Sequence, residues 1–187
     1  MSKALNLPNI LALFRIALAP LMLWFFVDRN NPIFSSWHPS WFDYFAGLIF
    51  VIASVTDFFD GFIARNWNQM TKLGGILDPL ADKMLVLAGF LGLMAIDRAS
   101  VWAIFLILSR EFFITGLRVV AVSEGKNVSS TMAGKIKTVV QMIAIGFLMM
   151  NWPFAELLLW ASVALTLYSG FEYIIGYTKK GKLYNYC

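Results

Sequence analysis

Apolar residues run through this chain in long, nearly unbroken blocks, and polar residues gather between them. Six blocks can be marked, at about 8–27, 43–64, 76–96, 100–122, 131–151 and 154–177. Each comes near the ~20 residues that an α-helix needs to cross the hydrocarbon core of a bilayer. The pattern shows no strand-like alternation and no repeat of about 20–50 residues. It therefore predicts an all-α fold, a single domain over residues 1–187 that crosses the membrane six times. The connections are short except for 28–42, DRNNPIFSSWHPSWF, whose Pro, Asn and Ser mark a surface loop. His38, next to Pro39, reads as a solvated loop histidine.

Composition strengthens the picture. Of 187 residues 59% are hydrophobic, and the mean hydropathy is +0.70. Soluble domains run at about 45–50% apolar, and apolar runs of this length set aside a buried soluble bundle. Seven Trp, six Tyr and seventeen Phe suit interfacial aromatic belts, with Trp37, Trp41 and Trp152 placed where apolar runs give way to polar ones. A single lysine precedes the first block, and no A-x-A-like cleavage site follows it. That block is expected to stay as a span and not to be removed as a signal peptide. Cys187 is the only cysteine. It offers no internal disulfide, and no Cys/His cluster exists to hold zinc.

The basic residues sort by loop. Lys3, Arg65, Lys72, Lys83, Arg118, Lys126, Lys135, Lys137, Lys179, Lys180 and Lys182 fall at the two termini or in even-numbered connections. Only Arg29 and Arg98 fall in odd-numbered ones. By the positive-inside rule both termini are cytoplasmic, as an even number of spans requires. This basic collar is expected to meet anionic membrane lipids, and no nucleic-acid partner is expected.

Four acids interrupt the second and third blocks, in DFFDGFIARNWNQMTKLGGILDPLADK at 57–83. On insertion scales an acid at the bilayer centre costs roughly 2.5–3.5 kcal/mol. Asp57 and Asp60 are three apart and Asp78 and Asp82 four apart, so each pair shares a helix face. Asp57, Asp60, Gly61, Ala64 and Arg65 fall within one sector of their helix. Two such helices facing each other bring four carboxylates together near the cytoplasmic ends of adjacent spans. Unpaired, the acids would repel one another. Two divalent cations would balance them, and an all-oxygen ligand set favours Mg2+ or Mn2+ over zinc or copper. Paired metals clamp phosphoryl groups during displacement. Intramembrane acids also serve proton or ion pathways, so a small cation or proton transporter stays open on spacing alone. So does a membrane subunit that only makes interactions, although it would leave the acidic pattern unexplained.

The spacing D-x2-D-G-x2-A-R-x8-G-x3-D-x3-D is filled at all eight positions, by Asp57, Asp60, Gly61, Ala64, Arg65, Gly74, Asp78 and Asp82. It resembles the signature of the CDP-alcohol phosphotransferases, integral membrane enzymes of phospholipid synthesis. The resemblance implies that Asp57, Asp60, Asp78 and Asp82 hold two Mg2+ or Mn2+ ions. It implies that Gly61, Ala64, Arg65 and Gly74 line the nucleotide pocket together with the metal acids, with Arg65 toward the pyrophosphate. It makes Asp82 the general base for the acceptor hydroxyl.

The acceptor is read from other stretches. LSREFFITGLR at 108–118 places Arg110 inside the fourth block and Arg118 eight residues on, nearly on the same face, with Glu111 able to pair with a neighbour. GKIKT adds Lys135 and Lys137. Four cations on the cytoplasmic side suit an acceptor carrying its own phosphate, while snorkelling and topology are the plainer roles for Arg118, Lys135 and Lys137. REFFITGLR, the opening PNILALFR and SGFEY at 169–173 are similar to the phosphatidylglycerophosphate synthase branch. The branch opening usually reads PNxxTxxR. Pro8, Asn9 and Arg15 fit it, and Ala12 stands where Thr is expected. Asn9 and Arg15 are carried over from that opening, Asn9 to the CDP-lipid site. Glu172 reads as a helix-pairing residue.

The resulting expectation is an inner-membrane, multi-pass enzyme with its site on the cytoplasmic side. It transfers the phosphatidyl group of CDP-diacylglycerol to sn-glycerol 3-phosphate, releasing CMP. Serine or an inositol phosphate are the alternative acceptors. The resemblance also makes a homodimer plausible.

Overall fold

The computed structural model describes residues 7–29, 31, 32, 36, 38–66, 74–123 and 132–184. Six helices carry nearly all of them: α1 (Leu7–Val27), α2 (Ser40–Asn66), α3 (Gly74–Ala95), α4 (Val101–Ser123), α5 (Met132–Met149) and α6 (Ala155–Tyr184). No strand occurs among the described residues. The boundaries lie within a few residues of those expected, except that α6 runs on to Tyr184. Lysine is a good helix former, so a helix outlasts its apolar stretch where the chain turns basic.

Three stretches are both long and apolar enough to cross a membrane: Asn9–Val27, Met132–Met149 and Ala155–Thr178. α2, α3 and α4 have the length as well, at 27, 22 and 23 residues, but they carry the acids and arginines that lower their hydropathy. Large apolar side chains face outward along the helices, among them Phe14, Val51, Phe105, Phe112, Val139, Leu157 and Phe171. An apolar surface this extensive is a liability in water and the normal exterior of a protein in lipid. This is an all-α membrane protein.

The chain divides into two compact units, Met1–Arg98 with Leu148–Asn151, and Ala99–Phe147 with Trp152–Cys187. In the first, α1 packs extensively against both α2 and α3, while α2 and α3 touch only slightly among the described residues. Ala12 and Ala19 on α1, Ala46 and Ala53 on α2, and Ala81 and Ala88 on α3 are all buried. Each pair is seven residues apart. Small residues repeated at that interval let helix backbones approach closely, which is how membrane helices associate without a hydrophobic driving force. Gly92 on α3 belongs to the same scheme, because a Cβ there would collide with the Phe26 ring.

One end of this unit is tied by charge. Asp43 in the first turn of α2 accepts from Arg29 and, at 2.7 Å, from Arg98. Arg98 also donates to the Met149 carbonyl at 2.7 Å, which satisfies one of the orphan acceptors at the end of α5. The two basic residues that broke the loop-by-loop sorting therefore share one carboxylate. Asp97 closes α3 with φ 56°, while Arg98 N–H donates to Leu93 O and Asp97 N–H to Met94 O. This is the Schellman pattern, with Asp in place of the usual glycine.

In the second unit α4 packs on α6. Ile107, Ile114 and Ala121 are buried on α4, and Leu159, Ser162, Thr166, Ser169 and Tyr173 on α6. Hydroxyls in the apolar helices bond back to their own backbone, as Thr115 does to Glu111 O at 2.7 Å and Ser162 to Leu159 O at 2.7 Å. Trp41 and Trp152 are exposed, in keeping with interfacial anchors, and so is His38.

Candidate active site

α1 begins PNILALFR, and every buried position on it lies on one stripe: Asn9, Ala12, Arg15, Ala19, Met22 and Phe26. The spacing of three or four turns all of them toward α2 and α3. Arg15 is the only charged residue of that helix, and its side chain is fully buried. A guanidinium so placed needs anionic partners, because burying an isolated charge is prohibitive. It finds Asp57 on α2, to which it donates directly, and Asp78 on α3, whose Oδ1 lies 3.9 Å from the other guanidinium nitrogen.

Asp57 comes nine residues before the end of α2, and Asp78 follows the start of α3 by four. Both therefore lie toward the ends joined by residues 67–73. Their side chains are 40% and 38% exposed, so the carboxylates open to solvent on the side away from Arg15. Asp82 stands one turn beyond Asp78 and is also partly exposed. Gly74 is buried at the first position of α3. Asp60, Gly61, Ala64 and Arg65 fall on the last turns of α2, and their side chains lie outside the described residues.

Among the described residues no group of three or more His, Cys, Asp or Glu is gathered closely enough to hold a metal ion. The donor chemistry nevertheless fits one. Asp78 Oδ1 is buried and has no hydrogen-bond partner, and the acids offer only oxygen, as Mg2+ and Mn2+ prefer. Sequence reasoning placed α2 and α3 face to face. The structure adds α1 as a third wall and Arg15 as the cation that joins their acids. The signal for it was present: one arginine inside an otherwise uncharged helix.

The expected acceptor cations lie in the second unit. Arg110 is mostly buried, donating to Ser169 Oγ on α6 at 2.7 Å and to Glu111 at 3.2 Å. Gly170 makes room for it, since a Cβ there would stand 3.0 Å from Arg110 Nε. Lys137 on α5 is buried and donates to the same Glu111 carboxylate. Glu111 thus links Arg110 to Lys137, the pairing with a neighbour that its position suggested. Arg118 is exposed and lies over the Tyr173 ring at 6.0 Å, and Lys135 is exposed. Glu172, expected to pair helices, is exposed instead and forms no ion pair among the described residues. An outward-facing groove of about 740 Å³ runs between α4 and α6 beside Arg110, lined by Phe113, Leu167, Tyr168 and Phe171 among others.

Residues 5–168 match the family described as CDP-alcohol phosphatidyltransferase. The chain belongs to that family. Its relatives include proteins of nearly its own length. It is 40% identical over 188 residues to the CDP-diacylglycerol–glycerol-3-phosphate 3-phosphatidyltransferase of Bacillus subtilis (strain 168), covering 90% of this chain and 93% of the relative. To the protein of the same name from Rickettsia bellii (strain RML369-C) it is 37% identical over 180 residues, with the same coverage. To that of Escherichia coli (strain K12) it is 36% identical over 180 residues, again covering 90% and 93%.

Proposed function

We propose that this CDP-alcohol phosphatidyltransferase moves the phosphatidyl group of CDP-diacylglycerol onto sn-glycerol 3-phosphate, giving phosphatidylglycerol phosphate and CMP. One observation carries the reading. Asp57 and Asp78, two acids of the eight-position pattern, come from different helices and meet on one guanidinium beside an oxygen with no hydrogen-bond donor. The names of the relatives supply the acceptor, and REFFITGLR with its basic neighbours agrees with it.

In this reading Asp57, Asp60, Asp78 and Asp82 hold two Mg2+ or Mn2+ ions. Bound there, such ions would supply Lewis-acid chemistry toward the pyrophosphate and toward the charge that develops on departing CMP. Gly61, Ala64 and Gly74 leave room for the nucleotide, Asn9 contacts the CDP-lipid, and Arg65 faces the pyrophosphate. Asp82 takes the proton of the acceptor hydroxyl. The hydroxyl oxygen then bonds to the phosphorus that carries the diacylglycerol, the bond from that phosphorus to the bridging oxygen breaks, and the electron pair leaves with CMP. Arg110, Arg118, Lys135 and Lys137 attract the acceptor phosphate, which competes with Glu111 for Arg110 and Lys137. The donor's acyl chains stay among the lipids of the inner membrane, and the site and both termini face the cytoplasm, as the sorting of basic residues supports.

The test is purified protein incubated with CDP-diacylglycerol and a panel of alcohols, with and without EDTA. CMP release with glycerol 3-phosphate, abolished by EDTA and restored by Mg2+ or Mn2+, is expected. Release with serine or an inositol phosphate in its place would move the acceptor assignment.

A further inference from the structure

Arg15 stands outside the eight-position acidic pattern, yet it reaches two of that pattern's acids on two different helices. Its guanidinium is fully buried, donates to Asp57 and approaches Asp78 Oδ1 at 3.9 Å. It enters from α1, a third helix, along a stripe that the packing of α1 on α2 and α3 fixes in rotation. A fork reaching two carboxylates on different helices is a task for arginine, whose planar donors are held rigidly, more than for lysine.

We infer that Arg15 is the resident counter-cation of the acid cluster, holding Asp57 and Asp78 together when no metal is bound and competing with the divalent ion for Asp57. The inference rests on the metal-site reading above. Its physical basis is simple. The bond from Arg15 to Asp57 Oδ1 draws electron density from the carboxylate that a metal ion would share, and the guanidinium repels a divalent ion at short range through a medium that screens poorly. The wall of the site facing α1 is therefore charged before a metal arrives. Arg15 is a positioning residue in this scheme. It keeps two like charges from pushing α2 and α3 apart, and it tempers how tightly the first ion is held, so that metal binding stays exchangeable.

The experiment compares wild type, Arg15→Gln and Arg15→Lys in detergent without lipid substrate. It reads Mn2+ binding by paramagnetic resonance of the free ion, and melting temperature in EDTA and in saturating Mn2+. Arg15→Gln is expected to bind Mn2+ more tightly, on the order of tenfold. It is also expected to melt below wild type in EDTA, with Mn2+ closing most of the gap, because a ligand that binds only the folded state stabilises by an amount that grows with the logarithm of its concentration over Kd. Arg15→Lys keeps the charge but not the fork. It should hold Mn2+ within about threefold of wild type and show a smaller gap of the same kind. A merely structural arginine would leave the same melting gap in both conditions and the Mn2+ affinity unchanged, and that result overturns the inference. Should Arg15→Gln fail to fold, Arg15→Lys decides by the same comparison of gaps. If wild type binds no Mn2+ at all, the metal-site reading falls and this inference with it. If wild type binds Mn2+ and the variants match it, only the inference falls.

Discussion

At the scale of single residues, the acids of the proposed site differ in position. Asp57 and Asp78 are engaged by Arg15, whereas Asp82 stands a turn further along α3, partly open to solvent. Asp82→Asn keeps the size of the side chain and removes the proposed base. It is expected to lower CMP formation by at least 100-fold, the lower range of general-base contributions. Metal-dependent binding of CDP-diacylglycerol should stay within a few-fold, measured by retention of labelled lipid. Near-normal turnover would reassign the base. The four acids and their spacing could be read from the linear order, because i, i+3 and i+4 neighbours share a face whatever the fold. Arg15's partners could not. Which face of α1 meets which faces of α2 and α3 is set by packing between helices, about which a 3.6-residue period within one helix says nothing. For the same reason Glu111 was placed beside Arg110 by adjacency alone, and its tie to Lys137, 26 residues on, needed the structure.

At the scale of elements, the six helices were legible to within a few residues apart from the far end of α6, since each apolar block is bounded by polar or turn-forming sequence. What holds their ends was not. Arg29 and Arg98 looked like exceptions to a charge rule, and they prove to be the two arms of a clamp on Asp43. The Asp43 side chain is 14% exposed, so its loss leaves two guanidinium groups short of a partner in a partly dry setting. Asp43→Asn is expected to cost about 1–3 kcal/mol of stability, read as a lowered midpoint of chemical denaturation in detergent. CMP formation by the folded fraction should be unaffected, because the clamp sits at the opposite end of α2 from Asp57.

At the scale of the whole molecule, the distribution of lysines and arginines supports the proposed orientation, and the chain carries its own reporter of it. Cys187 is the only thiol and the last residue. A membrane-impermeant maleimide is expected to label it in inverted vesicles and to leave it unlabelled in right-side-out ones. The reverse result would put the acids on the outer face, away from any cytosolic acceptor. Breadth of sequence signal explains what was readable at this scale: hydropathy and charge bias are sums over many residues, and they tolerate error at any one.

The bond from Arg98 to the Met149 carbonyl joins positions 51 residues apart in the chain. A ribosome adding about 5–20 residues per second needs roughly 3–10 s to pass from one to the other. During that interval the first three helices can already lie side by side in the bilayer while one guanidinium nitrogen still waits for its oxygen. The half of the protein that bears the acids is thus finished only after most of the other half has been translated, and a nascent chain truncated before the fifth helix would expose that unfinished seam to quality-control proteases.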